Sequence, residues 1–140
     1  MSTTTSMLTA EDLEFLSRPL HGFLTVTGGP QPPQPRPVWF EATADGTIHF
    51  FTLRDSPKMR RLHQDPRASL VVAAPAGERE RWVSVTGRTA VATDGAYDLV
   101  SRLAARYWNL DDRAADFDAM LAEDQVRVVL HPEAVRRFAF

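Results

Sequence analysis

TIHFFTLRDSPKMRRLHQDPRASLVV, Thr47 to Val72, reads as strand, helix and strand in quick succession. Residues 47–53 are mostly apolar or β-branched and follow Asp45-Gly46, a pair that favours a tight hairpin turn. Ser56 is a good helix N-cap, and Pro57 suits the first helical position, where its missing N–H costs nothing. Asp65-Pro66 stops that helix, because the residue before a proline is pushed away from helical backbone angles. Residues 68–74, ASLVVAA, then form the next strand.

Upstream, Thr9 with Asp12 three residues later looks like a helix start, and Leu13, Leu16 and Leu20 follow at helical spacing. GFLTVT, Gly22 to Thr27, is a strand ending at Gly28-Gly29. In GPQPPQPRPVWFEAT, Pro33, Pro35 and Pro37 alternate, so their missing N–H groups fall on one side of an extended chain. Pairing stays open through Gln34, Arg36 and Val38, which predicts an edge strand that pairs normally from Val38 to Thr43. Downstream, RWVSVTGRTAVA, Arg81 to Ala92, is a long strand with Gly87 as a bulge. Ala96, Leu99, Val100, Leu103, Ala104 and Tyr107 recur at the spacing of an amphipathic helix. A shorter helix covers residues 113–121, VRVVLH (Val126 to His131) is the final strand, and a tail runs to Phe140. Six strands joined mostly by hairpins, with helices inserted late, predict an α+β domain on a six-stranded antiparallel barrel with peripheral helices. The absence of βαβα alternation argues against a doubly wound sheet.

A length of 140 residues predicts a single domain over residues 1–140, with residues 1–8 as a flexible lead. Net charge is −2, so no global basic field recruits nucleic acid or an anionic membrane. The chain has no cysteine, which excludes disulfides, thiolate metal sites and cysteine nucleophiles and fits a reducing cytoplasm. No apolar run approaches the ~20 residues that span a bilayer, and the opening MSTTTSM lacks the basic and apolar regions of a signal peptide. Of 16 basic residues only Lys58 is a lysine.

Several catalytic devices are missing: there is no GxGxxG, no phosphate-binding P-loop and no GxSxG elbow. His21, His49, His63 and His131 are scattered without metal-ligand spacing and read as surface or packed histidines. The segment that carries chemistry is FFTLRDSPKMRRL, Phe50 to Leu62. Free N–H groups at a helix start form an anion site, and Lys58 in the first turn opposes the helix dipole, so a bound anion explains it better than solvation alone. Thr52 and Ser56 hydroxyls complete a candidate phosphate shell, with Arg61 three residues beyond Lys58. A second cluster, RPVWF, brings Arg36 and the flat surfaces of Trp39 and Phe40. The run PPQPRP also has the composition of a polyproline ligand, although it leads straight into an apolar strand.

GFLTV, PQPRPVWFEA, TIHFFTLRDSPKMRRLHQDPRASLVV and RWVSVTGRTAV together resemble the pyridoxamine 5′-phosphate oxidase-like split barrels, and most closely the small flavin/deazaflavin oxidoreductases that use FMN or coenzyme F420. RYWNLDD…FDAMLAEDQVRVVLHPEAV extends the likeness, which covers about residues 10 to 136. The resemblance implies a six-stranded split β-barrel and a homodimer with two cofactors in clefts between subunits. It places Thr52, Ser56, Lys58 and Arg36 at the cofactor phosphate, Val38 and Trp39 beside the ring, and Arg61 near the phosphate or tail. Two departures stand out: Pro57 where the FMN oxidases commonly carry arginine, and Trp82 where they carry a glutamine near the ring.

These readings predict a cytoplasmic oxidoreductase that moves a hydride between coenzyme F420 or FMN and a small conjugated substrate, the deazaflavin being preferred. The rival is a protein of the same fold that binds or sequesters a flavin, a deazaflavin or haem without turnover.

Overall fold

The computed structural model describes residues 7–140. Helix α1 (Ala10–Leu16) starts with the expected capping box: Thr9 Oγ1 accepts from the Asp12 N–H at 3.1 Å, and the Asp12 carboxylate accepts from the Thr9 N–H at 2.9 Å. The lead predicted over residues 1–8 is shorter than that at its C-terminal end, because Leu8 is buried in the core; residues 1–6 lie outside the described residues. Strands β1 (Gly22–Val26), β2 (Arg36–Val38), β3 (Glu41–Ala42) and β4 (Ile48–Leu53) precede α2 (Pro57–Gln64) and β5 (Arg67–Ala73). Then come β6 (Arg81–Ala92), α3 (Ala96–Tyr107), α4 (Ala114–Ala122) and β7 (Gln125–Ala139).

The strands form one antiparallel sheet in the order β2-β1-β5-β6-β7-β4-β3. Its two edge strands, β2 and β3, are separated in the chain by Trp39 and Phe40 alone. A sheet whose opposite edges are joined by two residues must curl until those edges meet, and that closure makes the barrel. The predicted continuous strand from Val38 to Thr43 is therefore two strands: Val38 pairs with Gly22 on β1, and Glu41 pairs with His49 on β4. This splitting is why the sheet has seven strands where six were expected. Phe40 fills the corner with no exposure, and its carbonyl, which falls outside the ladder, accepts from Arg106 Nη1 at 3.1 Å. The prolines behave as an edge demands: Pro37 lies in β2, at the rim, while Pro33 and Pro35 stay in the preceding loop.

Residues 132–139 are not a tail. They continue β7 along β6, from Gly87 opposite Pro132 to Arg81 opposite Ala139. The register shifts between Thr86 and Gly87, yet the extra residue is Glu133 on β7, so the bulge is in the strand facing Gly87. A Cβ on Gly87 would sit 1.9 Å from the His131 carbonyl oxygen, which leaves room there only for glycine. Alternate residues of β1, β5, β6 and β7 point inward, Leu24, Leu70, Val85 and Val128 among them, and Leu16, Phe50 and Leu62 complete one core. On α3 the predicted stripe is buried as Leu99, Val100, Leu103 and Ala104. No described helix is long and apolar enough to cross a membrane.

Candidate cofactor site

At the mouth of the barrel a cleft of about 370 Å³ opens between β1, β2, the end of β4 and the start of α2. Leu24 and Val26 form its apolar wall, while Arg36, Thr52, Ser56, Lys58 and Arg61 supply polar groups. The placement follows from local rules. Arg36 lies opposite Leu24 in the ladder and so shares the inward-facing side of the sheet at its open end. Ser56 caps α2, accepting from the Met59 N–H at 3.2 Å. Its hydroxyl also shares a hydrogen bond with Thr52 Oγ1, 3.1 Å away, in which either oxygen can donate. The backbone is less generous than the sequence suggested: Pro57 has no N–H and Met59 bonds the cap, so the first turn leaves only the Lys58 N–H for a ligand.

Eight arginines pair with carboxylates, whereas Arg36, Lys58 and Arg61, together in this cleft, are among the described basic residues without an acidic partner. Burial and the nearby Arg36 guanidinium both push the Lys58 ammonium below its usual pKa. Two like charges held together in a partly desolvated cleft destabilise the empty state and favour a bound anion. Arg61 packs on the loop after β1, where Gly29 has φ +99° and a Cβ would lie 2.5 Å from Arg61 Nε.

A second cleft, of about 260 Å³, adjoins the first and shares Pro37 and Lys58 with it. Val38, Trp39, Phe51, Trp108 and Met120 form the rest of its lining. Phe51 and Trp108 stand edge-on to Trp39, with ring centroids 6.2 and 4.8 Å away. Trp39 also stacks on Tyr107 at 5.1 Å with the rings nearly parallel, which fixes its orientation. Tyr107 is itself anchored, its hydroxyl donating to the Leu20 carbonyl at 2.6 Å, and burial raises its pKa.

Of the predicted site residues, Arg36, Thr52, Ser56, Lys58 and Arg61 thus line the cationic cleft, and Val38 and Trp39 line the aromatic one. Trp82 lines neither. It sits at the start of β6 on the outer face of the sheet, cross-strand from Phe138, with the two rings 6.1 Å apart. Sequence reading missed Gln34, Phe51, Trp108 and Met120. The aromatic pair Tyr107-Trp108 at the end of α3 was visible, but nothing in its spacing showed that the helix end meets Trp39. A larger hollow, about 1180 Å³ between α1 and the ends of β6 and β7, has its basic groups already engaged. There Arg137 pairs with Asp12, Arg18 pairs with Glu78, and Arg81 lies over the Phe15 ring.

A split barrel with a cationic cleft at its mouth agrees with a family whose sequence model matches the chain over residues 8–138, described as pyridoxamine 5′-phosphate oxidase. The chain belongs to that family. Among solved structures, a conserved hypothetical protein (Rv2991) of Mycobacterium tuberculosis is 21% identical, with a TM-score of 0.74 over 99% of this chain and 90% of that one. An F420 reductase is 23% identical, with a TM-score of 0.69 over 97% and 98% of the two chains. The haem storage protein HutZ of Vibrio cholerae is 14% identical, with a TM-score of 0.67 over 94% of each. At these identities the likeness establishes the split-barrel fold. No curated protein matches the chain.

The donor set fits a phosphate-bearing planar cofactor of the kind used within the pyridoxamine 5′-phosphate oxidase family. Arg36, Lys58, Thr52 and Ser56 are charge-assisted or hydroxyl donors suited to phosphate oxygens, and Val38, Trp39, Phe51 and Trp108 offer apolar surface to a ring.

Proposed function

We infer that the protein is an oxidoreductase that binds a phosphate-bearing flavin or deazaflavin, FMN or coenzyme F420, and acts on a small conjugated, electron-poor substrate. The observation that carries this reading is the junction of the two clefts at Pro37 and Lys58. A molecule anchored by its phosphate among Arg36, Lys58, Thr52 and Ser56 reaches the aromatic cleft directly. The cofactor supplies the hydride chemistry. The chain's residues anchor, orient and desolvate: Lys58 and Arg36 hold the anion, Trp39 is locked by Tyr107, and Phe51 and Trp108 exclude water from the ring edge. Coenzyme F420 is the favoured partner, because Pro57 removes an arginine that the FMN oxidases commonly use and because Arg61 adds positive charge beyond Lys58.

Separate titrations with FMN and coenzyme F420, followed by steady-state turnover of a panel of quinone, nitroaromatic and enone acceptors, test the proposal. The expected result is saturable binding, tighter for F420, with reduction of at least one acceptor. Tight binding without turnover of any acceptor would make this a binding protein, and binding of neither cofactor would remove the reading altogether.

A further inference from the structure

Arginines fasten α3 to the sheet at three points. Just before the helix, Arg127 on β7 donates from Nε to the Asp94 carbonyl at 2.9 Å and from Nη2 to the Asp94 carboxylate at 3.2 Å. Midway, Arg102 makes a two-pronged pair with Glu41 on β3, at 2.9 and 3.0 Å. At the helix end Arg106 holds the Phe40 carbonyl. The first fastening matters because Gly95, the N-cap, offers the helix start no side-chain bond. His49 on β4 adjoins the first two. It is the cross-strand neighbour of Glu41, and its Nδ1 lies 3.0 Å from Arg127 Nη1. A guanidinium has no acceptor, so Nδ1 accepts and the ring proton sits on Nε2. Nε2 then donates to Thr47 Oγ1 at 2.9 Å, and Thr47 Oγ1 donates to Asp45 at 2.7 Å. This arrangement requires a neutral imidazole.

We propose that His49, Arg127 and Glu41 form an acid-sensitive latch that sets the position of α3 on the barrel and, through Tyr107 and Trp108 at the end of the helix, the shape of the aromatic cleft. A proton taken up from solvent at Nδ1 removes the acceptor of Arg127 Nη1 and leaves two cations 3.0 Å apart. The imidazolium is attracted instead to Glu41 beside it, which draws that carboxylate away from Arg102. One proton thus weakens two of the three fastenings. Leu99, Val100, Leu103 and Ala104 keep the helix on the sheet, but apolar contact is non-directional and does not fix where along the surface the helix rests. The charged groups around the imidazole are Glu41 on β3, Asp45 in the β3–β4 turn, Arg127 on β7 and Arg102 on α3, with Asp94 and Asp98 beside the two arginines. Burial and then Arg127 outweigh the two carboxylates and hold His49 below the ordinary histidine pKa. Arg102 holds Glu41 down, and hydrogen bonds from Thr43 and Thr47 hold Asp45 down, so both stay ionised while His49 titrates. Since the folded-state value lies below the ~6.5 of an unfolded histidine, the latch's contribution is fully present above that value and is lost as pH falls through the folded one.

Near-UV circular dichroism of the cofactor-free protein between pH 7.5 and pH 5 tests the latch, because Trp39, Tyr107 and Trp108 pack ring against ring. The unmodified protein should change its near-UV signal with a midpoint below pH 6.5 while its far-UV signal stays constant. Hydrogen exchange of residues 94–108, corrected for intrinsic rate, should lose about tenfold in protection over the same range. His49→Gln keeps an acceptor for Arg127 and a donor for Thr47 but cannot gain a proton, so it should hold the pH 7.5 spectrum and protection throughout. Glu41→Gln removes the group that attracts the imidazolium, and its midpoint should fall by about half a pH unit. No cofactor is needed for these measurements, so their failure is distinct from failure of the proposed activity. A near-UV signal that is constant from pH 7.5 to pH 5 in the unmodified protein would overturn the latch. A transition that persists in His49→Gln, or a midpoint that does not move in Glu41→Gln, would overturn it equally.

Discussion

Lys58 illustrates how one side chain can be costly for the empty protein and useful for the loaded one. It lines both clefts, and burial together with Arg36 makes its charged form unfavourable before an anion arrives. Charge-assisted hydrogen bonds contribute roughly 1.5–3 kcal/mol, so Lys58→Ala should raise the cofactor dissociation constant about ten- to a hundredfold. The salt dependence of binding should become shallower at the same time. Thermal unfolding of the empty Lys58→Met variant should show equal or higher stability, because an apolar chain replaces a partly desolvated charge. Cofactor affinity unchanged in Lys58→Ala would remove the phosphate assignment for the whole cleft. Asp45 works in the opposite sense. Hydrogen bonds from Thr43 and Thr47 hold its carboxyl down to about 2. Since the folded-state value lies below the ~3.9 of an unfolded aspartate, its contribution is fully present above that value and is lost as pH falls through 2. Denaturant titrations should therefore show Asp45→Ala less stable by about 1 kcal/mol at pH 6, with the gap closing toward pH 2.

Among the elements, the long β6–β7 ladder depends on the glycine that lets Glu133 be accommodated. In Gly87→Ala a methyl group would meet a backbone carbonyl that has no freedom to swing aside. The expected loss exceeds about 3 kcal/mol, the range of severe overpacking, and would appear as a lower urea midpoint or as insoluble protein. A Gly87→Ala variant with native stability would show that β7 can slide its register. Helix α2 was predicted correctly at both ends because its signals are local: Ser56 as cap, Pro57 at the first position, and Asp65-Pro66 as the stop. The last strand was underestimated for the opposite reason. HPEAVRRFA contains a proline and two adjacent arginines, and its strand character comes from pairing with β6 rather than from its own composition.

For the molecule as a whole, closure of the barrel depends on the Trp39-Phe40 corner, which hands the chain from one edge of the sheet to the other. Phe40 is fully buried, and Arg106 and Tyr107 from α3 grip the neighbouring Phe40 carbonyl and Trp39 ring. Phe40→Ala should cost about 3–5 kcal/mol, measured by urea unfolding. It should also loosen the cofactor site, because Val38 and Trp39 lie on one arm of the corner. A loss of stability without any change in cofactor affinity would show that the corner and the site are independent.

By itself, the sequence determined most of the elements and, Gln34 apart, the residues that supply the polar lining of the cationic cleft. Proline and glycine punctuation, capping residues and apolar periodicity act within a few residues, so they are readable one segment at a time. The lone lysine after Ser56-Pro57 was readable for the same reason. Tertiary structure alone decided three further things: that residues 38–43 divide between opposite edges of the sheet, that Trp108 and Met120 meet Trp39, and that Trp82 faces outward from its own chain. Each of these depends on contacts between residues far apart in the chain. The curl of the sheet brings them together, and no local signal encodes how far it curls.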